Sequence, residues 1–249
     1  MKSIKSVLGA ISFISTIVGC GIPAIAVDFR LNSITGSWEN PIGSPIVTGE
    51  GTNRIEWGVA VAGSFSSGLQ FDSVTPPSVT VSNTSDFVLG RLTHFNYPTE
   101  NPLRSVDLNI ALNLENAQPT FRYRFDIDET ENNIPIDDCP SFQSSITACD
   151  DKIGFSASNF TPTTFSVDGQ DYTLQLVGFS STPDGSRPIS QFITEERKDN
   201  SAFLIARITT PQVERVSEPT TIAALFILSL YSLNRRRKKS SDSGLVEID

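Results

Sequence analysis

The chain has 249 residues, with 19 Lys and Arg against 28 Asp and Glu, a formal net charge of −9, and one histidine. A surface this acidic repels phosphate backbones, which excludes nucleic acid as a partner class and suits cations or plain solubility. Gly and Pro are plentiful and Met occurs once, a turn-rich composition of β-type.

Residues 1–26 carry the three parts of a secretory signal peptide: the positive pair Lys2 and Lys5, the apolar run Val7 to Val18, and a small-x-small cleavage site at Ala24-Ile25-Ala26. Ile17-Val18-Gly19-Cys20 also fits a lipobox, in which Cys20 would become the lipidated first residue. The two cleavages are alternatives, and either exports the remainder of the chain. Between Val27 and Pro219 there are 12 Lys and Arg against 25 Asp and Glu, a net charge of −13, so the exported part is more acidic than the whole.

In chain order, Ile34 to Trp38 and Arg54 to Val61 read as strands, with Trp38 and Trp57 as anchors at the core or its rim. Gly43 to Thr52 is loop by composition. Leu69 to Val74 alternates and is ended by Pro76-Pro77, since proline cannot donate to a ladder. Phe87 to Leu92 is a buried strand leading into a turn over Thr93–Pro98. Val106, Leu108, Ile110, Leu112 and Leu114 alternate with polar residues or Ala, as do Phe121, Tyr123, Phe125 and Ile127. Such period-2 patterning marks antiparallel strands with one buried and one wet face. An acidic loop spans Glu129 to Asp151, and Lys152 to Ser156 resumes the sheet. Phe165 to Leu176 is a hairpin turning at Asp168-Gly169. Phe203 to Ile208 is the last buried strand. With no helical periodicity between Val27 and Pro211, these elements predict an all-β, antiparallel β-sandwich, jelly-roll-like, over residues 27–212.

Candidate chemistry is sparse. Cys139 and Cys149, ten positions apart in an exported chain, predict one local disulfide. His94 alone cannot make a multi-histidine site, no nucleophile is marked beside it, and its expected role is a hydrogen bond that shapes the Thr93–Pro98 turn. Asp126, Asp128, Glu129 and Glu131 place oxygens at nearly alternate positions and are the candidates for a Ca²⁺ site, although the spacing is not that of an EF-hand. No other cofactor is expected. Arg122 and Arg124 are explained by cross-strand ion pairing on the wet face. No carboxylate pair stands out for glycoside hydrolysis, and the expectation is a protein that is not an enzyme.

At the C-terminus, Ser217-Glu218-Pro219 precedes an apolar segment, 220–233, which leads into the basic cluster 235–239 and the tail 240–249. The basic cluster obeys the positive-inside rule, holding the tail in the cytoplasm. A segment of 14 residues is shorter than the roughly 20 of a comfortable span, which fits a transient transmembrane anchor. The arrangement over 213–239 resembles a PEP-CTERM sorting signal, with Glu218 and Pro219 as its last two motif residues and Ser217 where the motif has Pro. That resemblance implies export through the inner membrane, an exosortase as processing partner, and delivery to the cell surface or to extracellular polysaccharide. A plain C-terminal membrane tail is the alternative.

Gly36-Ser37-Trp38, Leu89-Gly90, the motif Thr93-His94-x-Asn96-x-Pro98, the strand Val106 to Leu114, and Glu129 to Asn133 with the two cysteines together resemble the choice-of-anchor K domain. This family is found upstream of varied surface-anchoring signals. The resemblance implies location and domain extent; it brings no activity to any residue. The expected function is structural or adhesive at the surface or in extracellular matrix. The alternatives are a carbohydrate- or Ca²⁺-binding module and, less favoured, a hydrolase.

Overall fold

The computed structural model describes residues 26–211, apart from 62, 74–77, 147 and 157–162. Cys20 and Ala24 in the leader, and everything from residue 212 onward, including Glu218, Pro219, the apolar segment and the basic cluster, lie outside the described residues. Every described strand belongs to the unit ending at Thr210; of the second unit, 211–249, only Pro211 is described.

Among the described residues the chain is all-β, with one 3₁₀ turn at Ile136–Asp138. The strands are β1 (Asp28–Ile42), β2 (Val47–Thr48), β3 (Arg54–Trp57), β4 (Val59–Ala60), β5 (Ser67–Ser73), β6 (Val79–Ser82), β7 (Phe87–Asn96) and β8 (Thr99–Glu100). They continue as β9 (Ser105–Leu114), β10 (Thr120–Asp128), β11 (Asp151–Ser156), β12 (Phe165–Val167), β13 (Gln170–Ser180), β14 (Phe192–Thr194) and β15 (Lys198–Thr209). One antiparallel sheet runs β14-β11-β10-β9-β1-β6 and a second runs β12-β13-β15-β7-β5-β3-β2, while β4 and β8 pair separately.

The period-2 pattern does what alternation requires. Val106, Leu108, Ile110, Leu112 and Leu114 of β9 and Phe121, Tyr123, Phe125 and Ile127 of β10 are all buried. Each such side chain removed from water contributes on the order of 1.5–3 kcal/mol. The two sheets share this core: Phe29 of β1 meets Tyr172 of β13 edge-on at 4.9 Å, and Phe125 of β10 meets Phe179 of β13 at 6.3 Å. Trp38 and Trp57 are fully enclosed rather than at the rim. On the opposite face, Arg124 pairs with Asp107 of the neighbouring strand at 2.9 Å, where Asp107 is buried rather than wet, and the more exposed Arg122 reaches Glu39 at 3.6 Å. Asp168 and Gly169 have φ of 52° and 79°, the double positive φ of the tight turn joining β12 to β13.

Three expectations are corrected. The Gly43–Thr52 segment contains β2, and Gly58, at φ 73°, breaks the expected Arg54–Val61 strand into β3 and β4. More consequential, there is no turn at Thr93: β7 stays extended through Asn96. His94 lies opposite Asn200 of β15 on one side and Leu69 of β5 on the other. Pairing on both edges outweighs the turn preference of Asn-x-Pro, and His94 sits in a central strand.

Candidate functional site

From Leu92 onward the inward positions of β7 are Leu92, His94 and Asn96, so alternation carries two polar side chains into the interior. Trp57 of β3 stacks on the imidazole at 5.9 Å and 21° between planes. Thr194, the last residue of β14, organises the polar side. Its hydroxyl is 2.9 Å from His94 Nδ1 and 3.5 Å from the Asp151 carbonyl, to which it donates. Asn96 Nδ2 donates to the Thr194 carbonyl at 3.2 Å. In the tautomer that places the ring proton on Nδ1, the Thr194 oxygen accepts from His94 Nδ1–H. Nε2 is then left as a lone pair, and it has no hydrogen-bond partner among the described residues.

The acidic side is drawn from the other sheet. Glu129 follows β10, Asp151 opens β11, and Glu196 stands where the chain crosses from β14 to β15. A ring nitrogen of His94, a Glu129 oxygen and an Asp151 oxygen all lie within 4.8 Å of one another. Asp151 Oδ1 accepts the Thr130 amide at 2.8 Å and its hydroxyl at 3.0 Å, whereas Oδ2 is unpartnered. Both oxygens of Glu129, both of Glu196 and Asn96 Oδ1 are likewise buried without a partner among the described residues.

Burial dominates the electrostatics. It pushes the Glu129 carboxyl well above its ordinary range, with the charges of Asp151 and Glu196 adding to the effect. It raises Asp151 to about 6, the hydrogen bonds from Thr130 and Asn96 holding it back and Asp128 pushing it further. Burial and then Asp151 raise Glu196 to about 7 against the pull of Arg197. His94 is lowered to about 3 by burial alone. Chemically, this is a set of nitrogen and oxygen donors, enclosed and aimed at one another, able to share protons or to hold a cation.

Of the four acidic residues expected to bind Ca²⁺, only Glu129 reaches this cluster. Period 2 puts Ile127 and Glu129 in the inward phase and leaves Asp126 and Asp128 on the outer face of β10. Asp128 there pairs with Lys152 at 2.7 Å, and Glu131 is exposed. Asp126, Asp128, Glu129 and Glu131 therefore do not converge. Thr93, His94, Asn96 and Pro98, grouped in the sequence by a resemblance, divide as well. Thr93 turns to the other face, where its hydroxyl meets Ser201 at 3.0 Å, while Pro98 follows the strand. The Cys139 and Cys149 sulfurs are 2.01 Å apart, at disulfide distance, in the loop linking Glu129 to Asp151.

An open groove of about 630 Å³ runs along the outer side of β10 and β11 and reaches the cluster at Glu129, with Arg104, Asp126, Asp128, Lys152 and Gln191 also among its lining residues. Asp151 stood in the sequence only as the end of the acidic stretch beyond the Ca²⁺ candidates, and Thr194 and Glu196 were not candidates. The alternation Asp151-x-Ile153-x-Phe155 carries a signal for the first, and nothing local marks the other two. Compared with known proteins, the chain matches no family model, and no curated protein matches it.

Proposed function

We propose that this chain is an exported structural or adhesive module of the cell surface or extracellular matrix, folded as a jelly-roll-like β-sandwich. The observation that carries this reading is the cysteine pair at disulfide distance, since such bonds persist in oxidising compartments and are rare in the cytosol. The secretory leader, the PEP-CTERM-like C-terminus and the resemblance to choice-of-anchor K domains support it from the sequence. A structural role is favoured over a hydrolase because Glu129 and Glu196, whose carboxyls burial pushes upward, have both oxygens buried. Fractionating cells that express an epitope-labelled chain tests the proposal. The expected outcome is mature protein at the surface or in the medium, shortened at both ends and carrying one disulfide. Full-length, reduced protein confined to the cytoplasm would refute it.

A second reading, a carbohydrate-binding module, is favoured by the open groove, whose Arg, Asp, Lys and Gln side chains suit the hydroxyls of a polar ligand. A glycan array run with and without Ca²⁺ separates it from a purely structural role.

A further inference from the structure

We propose that His94, Glu129 and Asp151 form a binding site for one divalent transition cation of the Zn²⁺ or Mn²⁺ class, with Asn96 and Glu196 as its neighbouring oxygen groups. Three observations converge. First, the ligand atoms of one imidazole and two carboxylates lie within 4.8 Å of one another. A cation about 2.0–2.2 Å from each donor requires separations up to roughly 4.2 Å, which small side-chain rotations reach.

Second, His94, Asn96 and Asp151 are all 0 % exposed, yet His94 Nε2, Asn96 Oδ1 and Asp151 Oδ2 find no hydrogen-bond partner among the described residues. Buried polar atoms are ordinarily satisfied, and here unsatisfied atoms of His94, Glu129 and Asp151 belong to the three residues whose ligand atoms come together. Third, each of these atoms can ligate a cation: with Nδ1–H donated to Thr194, Nε2 presents a lone pair beside the Glu129 and Asp151 oxygens, whose charged form a bound cation would favour. No Lys or Arg forms an ion pair with Glu129, Asp151 or Glu196 among the described residues. One cation would join the imidazole and both carboxylates at a single centre.

The imidazole sets the metal class. Ca²⁺ prefers six to eight oxygens, whereas a nitrogen with two or three carboxylates suits Zn²⁺ or Mn²⁺. The Thr194 hydroxyl on Nδ1 is the outer partner that orients a ligating histidine. The site also has a mechanical consequence: His94 belongs to one sheet, Asp151 to the other, and Glu129 directly follows a strand of that other sheet, so the cation would tie the sheets together.

The test uses the full chain, purified without a histidine tag, stripped by chelator and dialysed against Zn²⁺, Mn²⁺, Co²⁺ or Ca²⁺. Expected are one Zn²⁺ or Mn²⁺ retained per chain and a melting temperature raised by about 5–10 °C at a hundredfold excess over Kd. Ca²⁺ should produce a much smaller shift. Because His94 is the only histidine, its ring resonances should show a hyperfine shift on Co²⁺ loading. Glu129→Gln should abolish retention and the thermal shift, while in chelator its melting temperature equals or exceeds that of the parent. Retention of no metal, an unshifted His94 resonance with Co²⁺ bound, or undiminished binding by Glu129→Gln would each overturn the site. A Ca²⁺ response equal to that of Zn²⁺ and Mn²⁺ would overturn the assigned class.

Discussion

Tyr123 shows how one side chain joins the two sheets. Its ring lies in the core row of β10, and its hydroxyl donates to the Leu174 carbonyl of β13, across the interface, at 2.7 Å. Tyr123→Phe keeps the ring but leaves a buried carbonyl one bond short, at a cost of about 1–2 kcal/mol. Burial also raises the phenol pKa above its ordinary 10. A raised pKa in the folded state means a contribution fully present below the unfolded value and lost as pH climbs past it. Stability of the parent should therefore fall more steeply than that of Tyr123→Phe above pH 10, and urea titrations of both proteins between pH 8 and 11 check this.

At the scale of elements, one close approach sets the spacing of β7 and β5. Gly90 of β7 lies under the ring of Phe71 of β5, and a Cβ there would stand 2.6 Å from two ring carbons and 2.7 Å from the Asp72 carbonyl. Phe71 is 2 % exposed and has little room to yield. Gly90→Ala should therefore cost about 1–3 kcal/mol, whereas Gly154→Ala on β11, with nothing within 4 Å, should be close to neutral. Thermal melts of the pair give the comparison. The loop between β10 and β11 is held by the Cys139–Cys149 pair, with a sequence separation of 10. Replacing both with Ala should lower stability by about 2–3 kcal/mol on the loop-closure account.

These elements also mark how far the sequence could be read. Alternation placed β9 and β10 because each residue's environment there follows from its own strand's phase. The same phase, continued one step past Ile127, turns Glu129 inward; its acidic neighbours disguise it as solvated loop. His94 and Asn96 look like turn residues because their preference is local, while the pairing with β5 and β15 that overrides it comes from residues some 25 and 105 positions away. The candidate site was illegible for the same reason. Its parts come from β7, β10, β11 and the β14–β15 crossover, and only the fold brings them together.

For the whole molecule the question is whether two sheets with one core unfold as one unit. The chain contains two tryptophans, Trp38 on β1 of one sheet and Trp57 on β3 of the other, 0 % and 1 % exposed. Each reports on its own sheet. Aromatic contacts of Phe29 with Tyr172 and of Phe125 with Phe179 cross between the sheets, and neither sheet has another surface on which to bury its apolar face. Separating them would expose both faces of the core, so a state with one sheet folded retains little of the apolar burial that stabilises it. The Trp38→Phe and Trp57→Phe variants, each leaving one tryptophan, isolate the two reports. In each variant the fluorescence midpoint in urea should coincide with its own far-ultraviolet circular dichroism midpoint, giving a single transition. A fluorescence midpoint that departs from the dichroism midpoint in either variant would show that the sheets unfold separately and that the shared core does not make them cooperative.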